Sequence, residues 1–295
     1  ISVVSDGQLE QTLRRDRSRG LGPDLLLLRA PQANALLEQG LVQPLNDLPS
    51  WRRSLALLEP GLAQRVNSRA GVSGLPVFDL LAKHFEVLVP EHPGFGASDN
   101  PPWIRNVSDL AMYYLDFIEG LTSYPVHLVG QSLGGWAAAE VAVRNCTRLK
   151  SLTLLAPAGI RVKGVPSGDN FIWDAEESVR NLYHDQKIPD QMLAMQLTDE
   201  EADIALTNRY AAAKFGWEPR WFNPSLERWL HRITIPTLVV WGKNDKLFPA
   251  AYAEKWGKGI PGAHVEIVPD CGHVPAVEKP EITAREIIRQ YAGTR

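Results

Sequence analysis

The sequence predicts an α/β protein built on a doubly wound, mostly parallel sheet, with a helical insertion. Three observations predict it. From Ser73 onward, short apolar runs alternate with helical stretches, the pattern of strands joined by crossover helices. One run, Val126–Val129, leads straight into Gly130-Gln131-Ser132-Leu133-Gly134 and then a small-residue helix. And Gly159–Arg232 interrupts the alternation with no convincing strand.

Taken in order, residues 1–66 do not announce the same fold. Asp24–Leu28 reads as a short strand, Pro31–Gln39 as a helix ending at Gly40, and Ser50–Leu58 as another short helix. The stretch PDLLLLRAPQANALLEQGLVQPLNDL resembles a β-α piece of bacterial extracellular solute-binding proteins. The competing reading is an atypical extension packed on the main domain. Pro76–His84 then predicts a short helix burying Phe78, Leu80 and Leu81, and Phe85–Pro90 a strand that ends in the glycine-rich turn Glu91–Asp99. Ser108 is the expected cap of the next helix. That helix carries Leu110, Tyr114, Phe117, Ile118 and Leu121 on one face.

The strand and helix flanking Ser132 form a nucleophile-elbow pattern, G-x-S-x-G. A serine projected from a strand tip needs a very sharp turn, so glycine is expected at Gly130 and Gly134. The helix from Gly134 to about Arg144 aims its free N–H groups at the serine. Three fixed positions match by chance in a chain this long roughly one time in ten, so the flanking strand and helix carry the assignment. Leu152–Leu155 is the next strand, closed by Ala156–Gly159. In the insertion, Asp174 with Glu177 and Thr198 with Glu201 predict capped helices from Ala175 to about His184 and from Asp199 to about Lys214. Its aromatics, Trp173, Trp217, Trp221, Phe222 and Trp229, are candidates either for a lid over a site or for the insertion's own small core. Strand Ile235–Trp241, helix Pro249–Trp256, strand Ala263–Val268 and helix Pro280–Tyr291 complete the sheet.

A serine hydroxyl needs a general base, and the base an orienting carboxylate. Asp245 follows strand Ile235–Trp241, and His273 follows strand Ala263–Val268. Three candidates therefore fall just past the carboxyl ends of three strands, where such sheets place their sites. His84, His92, His127, His184, His231 and His264 read as structural or surface residues, with His92 able to line the site. Asp270 reads as a solvated loop residue.

Composition narrows the function classes. Apolar residues make 44% and charged residues 22% of the chain, and the net charge is −3. Nothing there suggests nucleic acid or an anionic membrane, and no apolar run is long enough to span a bilayer. Cys146, read on a helix, and Cys271 make no disulfide framework, although a bridge between them stays open. No Cys/His cluster has metal spacing. No signal peptide is visible in the sequence given; a cytoplasmic location is favoured, with compartment and oligomeric state left open.

HPGFGASD, GQSLGG, WGKND and CGHVP stand in the order of the α/β-hydrolase superfamily, and the chain from about Gly71 resembles it. The resemblance implies a Ser-His-Asp hydrolase with no metal or organic cofactor and a small-molecule ester substrate. Its core would be residues 67–158 and 233–295, with a cap at 159–232. Ser132, His273 and Asp245 would be nucleophile, base and orienter. The N–H of Leu133 would serve the oxyanion, and Gln131, Trp173, Trp217 and Val274 would line the substrate site. One departure stands out. The family's His-Gly loop, source of a second oxyanion donor, would fall at Asn67–Gly71, which lacks that sequence. Reduced or absent activity is therefore a live expectation, as is a non-catalytic binding protein. Carbon–carbon bond cleavage, as in the meta-cleavage-product hydrolases, is a further alternative. Those carry Asn before the nucleophile and Trp after the histidine, where this chain has Gln131 and Val274.

Overall fold

The computed structural model describes residues 75–292, apart from 86, 97, 122 and 123. The expectations for residues 1–66 and for Asn67–Gly71 lie outside the described residues.

Helix α1 (Pro76–Leu81) starts on Pro76, whose missing N–H costs nothing at a helix start. It stops three residues short of the expected end and buries the i, i+4 pair Val77 and Leu81; Phe78 and Leu80 are only half-buried. The Phe85–Pro90 stretch forms no strand. Phe85 and Val87 still rest on apolar neighbours, but a strand also needs a ladder partner, and this stretch finds none among the described residues. Helix α2 (Val107–Leu121) is capped by Asn106, not Ser108. Asn106 Oδ1 accepts the Asp109 N–H at 2.9 Å, and the Asp109 carboxylate reaches back to the Arg105 N–H at 2.9 Å. That reciprocal pair starts the helix before Ser108. Leu110, Tyr114, Phe117 and Ile118 are buried as the periodicity requires.

The sheet follows, all parallel and in sequential order: β1 (Val126–Gln131), β2 (Leu149–Leu155), β3 (Thr237–Gly242) and β4 (His264–Val268). Helix α3 (Leu133–Arg144) links β1 to β2 and α8 (Ala251–Gly259) links β3 to β4. Crossovers of one hand that step in one direction must lie on one face, and α2, α3 and α8 share one apolar cluster with Leu152, Leu154, Val239 and Trp241. Leu155, Leu238, Val240 and Val268 point to the other face. There α1 and α10 (Pro280–Ala292) cover them, α10 following the short α9 (Pro275–Glu278). The sheet is thus wrapped on both sides. Strand β3 begins at Thr237 because Pro236 has no N–H to give a ladder. Cys146 lies just beyond α3, whose cap is Asn145, and donates Sγ–H to Ala142 O; both cysteines are free.

Between β2 and β3 lie α4 (Ala175–Leu182), α5 (Lys187–Ala194), α6 (Asp199–Gly216) and α7 (Leu226–Trp229). The Thr198–Glu201 capping box forms in full, and Asp174 accepts the Glu177 N–H. Helix α5 was not expected from the sequence; its Pro189 sits in the first turn, where the missing N–H is harmless. No helix among the described residues is long and apolar enough to cross a membrane.

Candidate active site

Strand β1 ends at Gln131, and Ser132 turns the chain with φ +51° before α3 begins. A side chain at positive φ is strained, so the surroundings must fix it. They do: Ser132 N–H donates to Leu155 O at 2.9 Å, and Ser132 O accepts from Ala158 N–H and Trp136 N–H, each at 3.0 Å. The glycines divide the steric load differently from the motif's expectation. A Cβ on Gly130 would sit 2.2 Å from Gly134 O, and one on Gly135 would sit 2.8 Å from Pro157 Cβ. A Cβ on Gly134 would meet only His92 Nε2, at an ordinary 3.4 Å. The turn therefore demands Gly130 and Gly135, and Gly134 is the tolerant position.

The other two candidates converge on the serine. His273 Nε2 lies 2.9 Å from Ser132 Oγ, and His273 Nδ1 lies 2.8 Å from Asp245 Oδ2. Both partners of the second bond are buried. The remaining oxygen, Asp245 Oδ1, accepts the N–H groups of Leu247 and Phe248, each at 2.9 Å. Every face of the carboxylate is thus used. The two loops meet backbone to backbone: a Cβ on Gly242 would lie 1.9 Å from Gly272 O. Phe248 sets its ring edge-on to the imidazole at 5.4 Å. A hydroxyl, an imidazole and a carboxylate in this order can move the hydroxyl proton to the imidazole while the carboxylate fixes the tautomer.

Leu133 opens α3, where backbone N–H groups have no acceptor within the helix. Gln131 ends β1 with its side-chain Oε1 buried and without a hydrogen-bond partner among the described residues. Val274 forms the turn after His273, its carbonyl accepting from Val277 and Glu278 N–H. Trp173 rests against Gly168, which in turn abuts Lys246 O beside the Asp245 loop. Trp217 is 55% exposed, edge-on to Phe171 and stacked under Arg220. No hydrogen bond or ring contact joins either tryptophan to Ser132 or His273 among the described residues.

Among the other histidines, His127 bonds Ser151 Oγ and stacks on Tyr291. His184 faces the largely exposed Asp270 at 3.8 Å. His92 sits differently: its Nδ1 is 2.6 Å from Tyr114 Oη, and its ring lies over Gly134. Burial lowers its pKa to about 4 and raises that of Tyr114 well above its usual value. Both groups are therefore neutral at pH 7. Two features had no sequence signal: the pairing of His92 with Tyr114, and the reach of Glu278 to partners some ninety positions away. Among the described residues no group of His, Cys, Asp and Glu has the arrangement of a metal site.

Comparison with known proteins agrees with this architecture. The family model described as alpha/beta hydrolase fold matches residues 57–280, beginning inside the 1–66 segment. The chain is 31% identical over 234 residues to monoacylglycerol lipase abhd6-B of Xenopus laevis, covering 72% of this chain and 68% of that protein. It is 30% identical over 218 residues to the 2-hydroxy-6-oxo-6-(2'-aminophenyl)hexa-2,4-dienoic acid hydrolase of Metapseudomonas resinovorans, covering 70% and 73%. Among solved structures, a thermophilic esterase from Thermogutta terrifontis superposes with TM-score 0.59 at 25% identity, over 74% of this chain and 84% of that one. A bacterial membrane phospholipase A superposes with TM-score 0.60 over 75% of this chain and 76% of that one; at 24% identity that likeness speaks to the fold alone. With a parallel sheet wrapped on both faces and a family match across most of its length, this chain is a hydrolase that belongs to the alpha/beta hydrolase fold family.

Proposed function

We propose that the protein is a serine carboxylic-ester hydrolase acting through an acyl-enzyme on Ser132. The observation that carries the reading is the unbroken line from Ser132 Oγ through His273 to Asp245, at 2.9 and 2.8 Å. Ser132 attacks the ester carbonyl as His273 Nε2 takes its proton. Asp245 orients the imidazole and stabilises the imidazolium. The Leu133 N–H, at the start of α3, faces the developing oxyanion. His273 then returns the proton to the leaving alcohol, and water releases the acyl group by the same relay. Residues 159–232 act as a cap over the core. Its aromatics favour an ester with an apolar acyl chain of medium size, in keeping with a relative named a monoacylglycerol lipase.

A fluorophosphonate probe tests the nucleophile: Ser132 becomes labelled, and Ser132→Ala abolishes labelling and lowers kcat by ~10⁴–10⁶-fold. An unlabelled wild-type protein supports the non-catalytic reading instead. A second hydrolytic reading, carbon–carbon cleavage of a vinylogous diketone acid, is favoured by the second relative. Gln131 and Val274 in place of Asn and Trp oppose it. Turnover of p-nitrophenyl esters without turnover of the diketone acid decides for the ester.

A further inference from the structure

The carboxylate of Glu278 lies at the end of α9, five residues past His273. Its two oxygens hold different parts of the molecule. Oε1 accepts the N–H groups of His184 and Asp185, at 2.7 and 2.8 Å, in the turn that follows α4 of the insertion. Oε2 accepts the N–H of Gly272, the residue before His273. A further bond runs directly between the same two pieces, from His273 N–H to Leu182 O at 2.8 Å. The approach is close enough to exclude any side chain at Gly272, where a Cβ would lie 2.6 Å from Leu182 O and 2.9 Å from His184 N. Gly272 and His273 are buried in this contact.

We propose that Glu278 is a positioning residue that binds the end of α4 and the His273 loop into one body, so that the insertion supports the imidazole as well as covering the site. The proposal rests on the acyl-transfer reading of Ser132 and His273. The physical case is one of satisfaction. Three backbone donors converge on one carboxylate, and hydrogen bonds to an ionised acceptor are about twice as strong as neutral ones. No second acceptor for the Gly272 N–H is present among the described residues. Without Glu278 that donor must find water or move, and the next residue is the base. Misplacing a reacting group by about 1 Å costs on the order of 10²-fold in rate.

Glutamine is an informative replacement because it has the same shape but one acceptor oxygen. Its amide NH₂ must face either the Gly272 N–H or the pair from His184 and Asp185, donor against donor. Glu278→Gln therefore breaks one arm of the clamp, and Glu278→Ala breaks both.

The experiment compares wild type, Glu278→Gln, Glu278→Ala and a destabilised control, Thr153→Val, which loses a bond to Gln290 of α10. Each is assayed with p-nitrophenyl acetate, too small to need the cap, and with a longer-chain p-nitrophenyl ester. Fluorophosphonate labelling of Ser132 is timed in parallel. The expected result is a loss of kcat on the acetate, on the order of 10-fold for Gln and 10²-fold for Ala, with little change in KM. Labelling slows in step, and Thr153→Val keeps its kcat. Unchanged kcat on the acetate, with loss confined to the KM of the longer ester, overturns the proposal by reducing Glu278 to a fastening for the cap. If the alanine protein does not fold, amide hydrogen exchange on the wild type decides. Gly272, His184 and Asp185 should exchange as one unit, and a Gly272 amide that exchanges far faster than the other two overturns the proposal. Failure of the acyl-transfer reading looks different, since wild type itself would then leave Ser132 unlabelled.

Discussion

Replacing Asp245 by asparagine should silence the enzyme without unfolding it, and the geometry says by how much. Asp245 Oδ1 accepts two buried N–H groups, from Leu247 and Phe248, while Oδ2 faces His273 Nδ1. An asparagine has one oxygen to share between these duties. Turning it toward His273 would aim the NH₂ at two backbone donors and strand both. Each buried unsatisfied donor costs about 1–3 kcal/mol, so that orientation is disfavoured by about 2–6 kcal/mol. The amide therefore keeps its oxygen on the loop and presents NH₂ to Nδ1. The imidazole must then carry its proton on Nε2, where it cannot accept the Ser132 hydroxyl. At 1.36 kcal/mol per decade, the productive orientation is populated about 30- to 3 × 10⁴-fold less than the inactive one. That spans the ~10⁴-fold loss seen for the same substitution in a serine protease triad. The assay is kcat for a p-nitrophenyl ester at constant pH, with the His273 tautomer read by ¹⁵N NMR. A variant retaining a third or more of wild-type kcat, or one whose His273 still carries its proton on Nδ1, would refute the reasoning.

The elbow makes a sharper prediction than its motif does. Gly134→Ala should fold with an unchanged or slightly higher melting temperature, since alanine favours a helix by up to about 1 kcal/mol over glycine and meets only His92. Gly130→Ala should fail to give soluble folded protein, because its Cβ would overlap a main-chain carbonyl. The buried Glu140 joins Arg144 to Trp136 Nε1 and Asn223 Nδ2, at 3.1 and 2.7 Å for the last two. Glu140→Gln should cost about 1–3 kcal/mol in denaturant titration, because an amide set among three donors leaves at least one of them unmatched, while the half-exposed Arg144 can turn to water. Stability should also fall as pH drops from about 6.5 to about 4. Over that window the unfolded chain protonates His92 while the folded protein, with its pKa lowered to about 4 by burial, does not. The 2.5-unit gap is worth at most about 3 kcal/mol. His92→Asn should flatten this part of the pH–melting curve, and an identical slope in the variant would remove His92 as its source.

What the sequence disclosed, it disclosed locally. The elbow, the four strands and two capped helices of the insertion each announce themselves within a dozen residues, through glycine spacing, apolar runs and the pairs Asp174–Glu177 and Thr198–Glu201. Asp245 and His273 were legible from their loops past two strand ends and from the order serine, acid, histidine, and the fold brings His273 to Ser132 with Asp245 behind it. The misses share a cause. Ser108 lost the cap to Asn106 because Asp109 reaches backward to Arg105, a choice between neighbours that composition does not settle. Phe85–Pro90 has the composition of a strand, but a strand is made by its partner. Helix α5 has no capping pair like those that announce α4 and α6, since its N-cap Gln186 makes no side-chain cap bond.

The insertion shows why position along the chain understates its part in the site. Helix α6 grips the glycine-rich turn after Pro90: Asn208 Oδ1 accepts the Gly96 N–H at 2.7 Å, Lys214 Nζ donates to Asn100 Oδ1 at 2.7 Å, and Phe215 stacks on Phe95. That turn carries His92, whose ring lies over Gly134 in the first turn of α3. The end of α4, in the same insertion, holds the His273 loop through Leu182 and Glu278. One segment thus touches the supports of both nucleophile and base, from two directions. A movement of this segment as one body would therefore break bonds at both places, disturbing the His273 loop and the turn that carries His92 together.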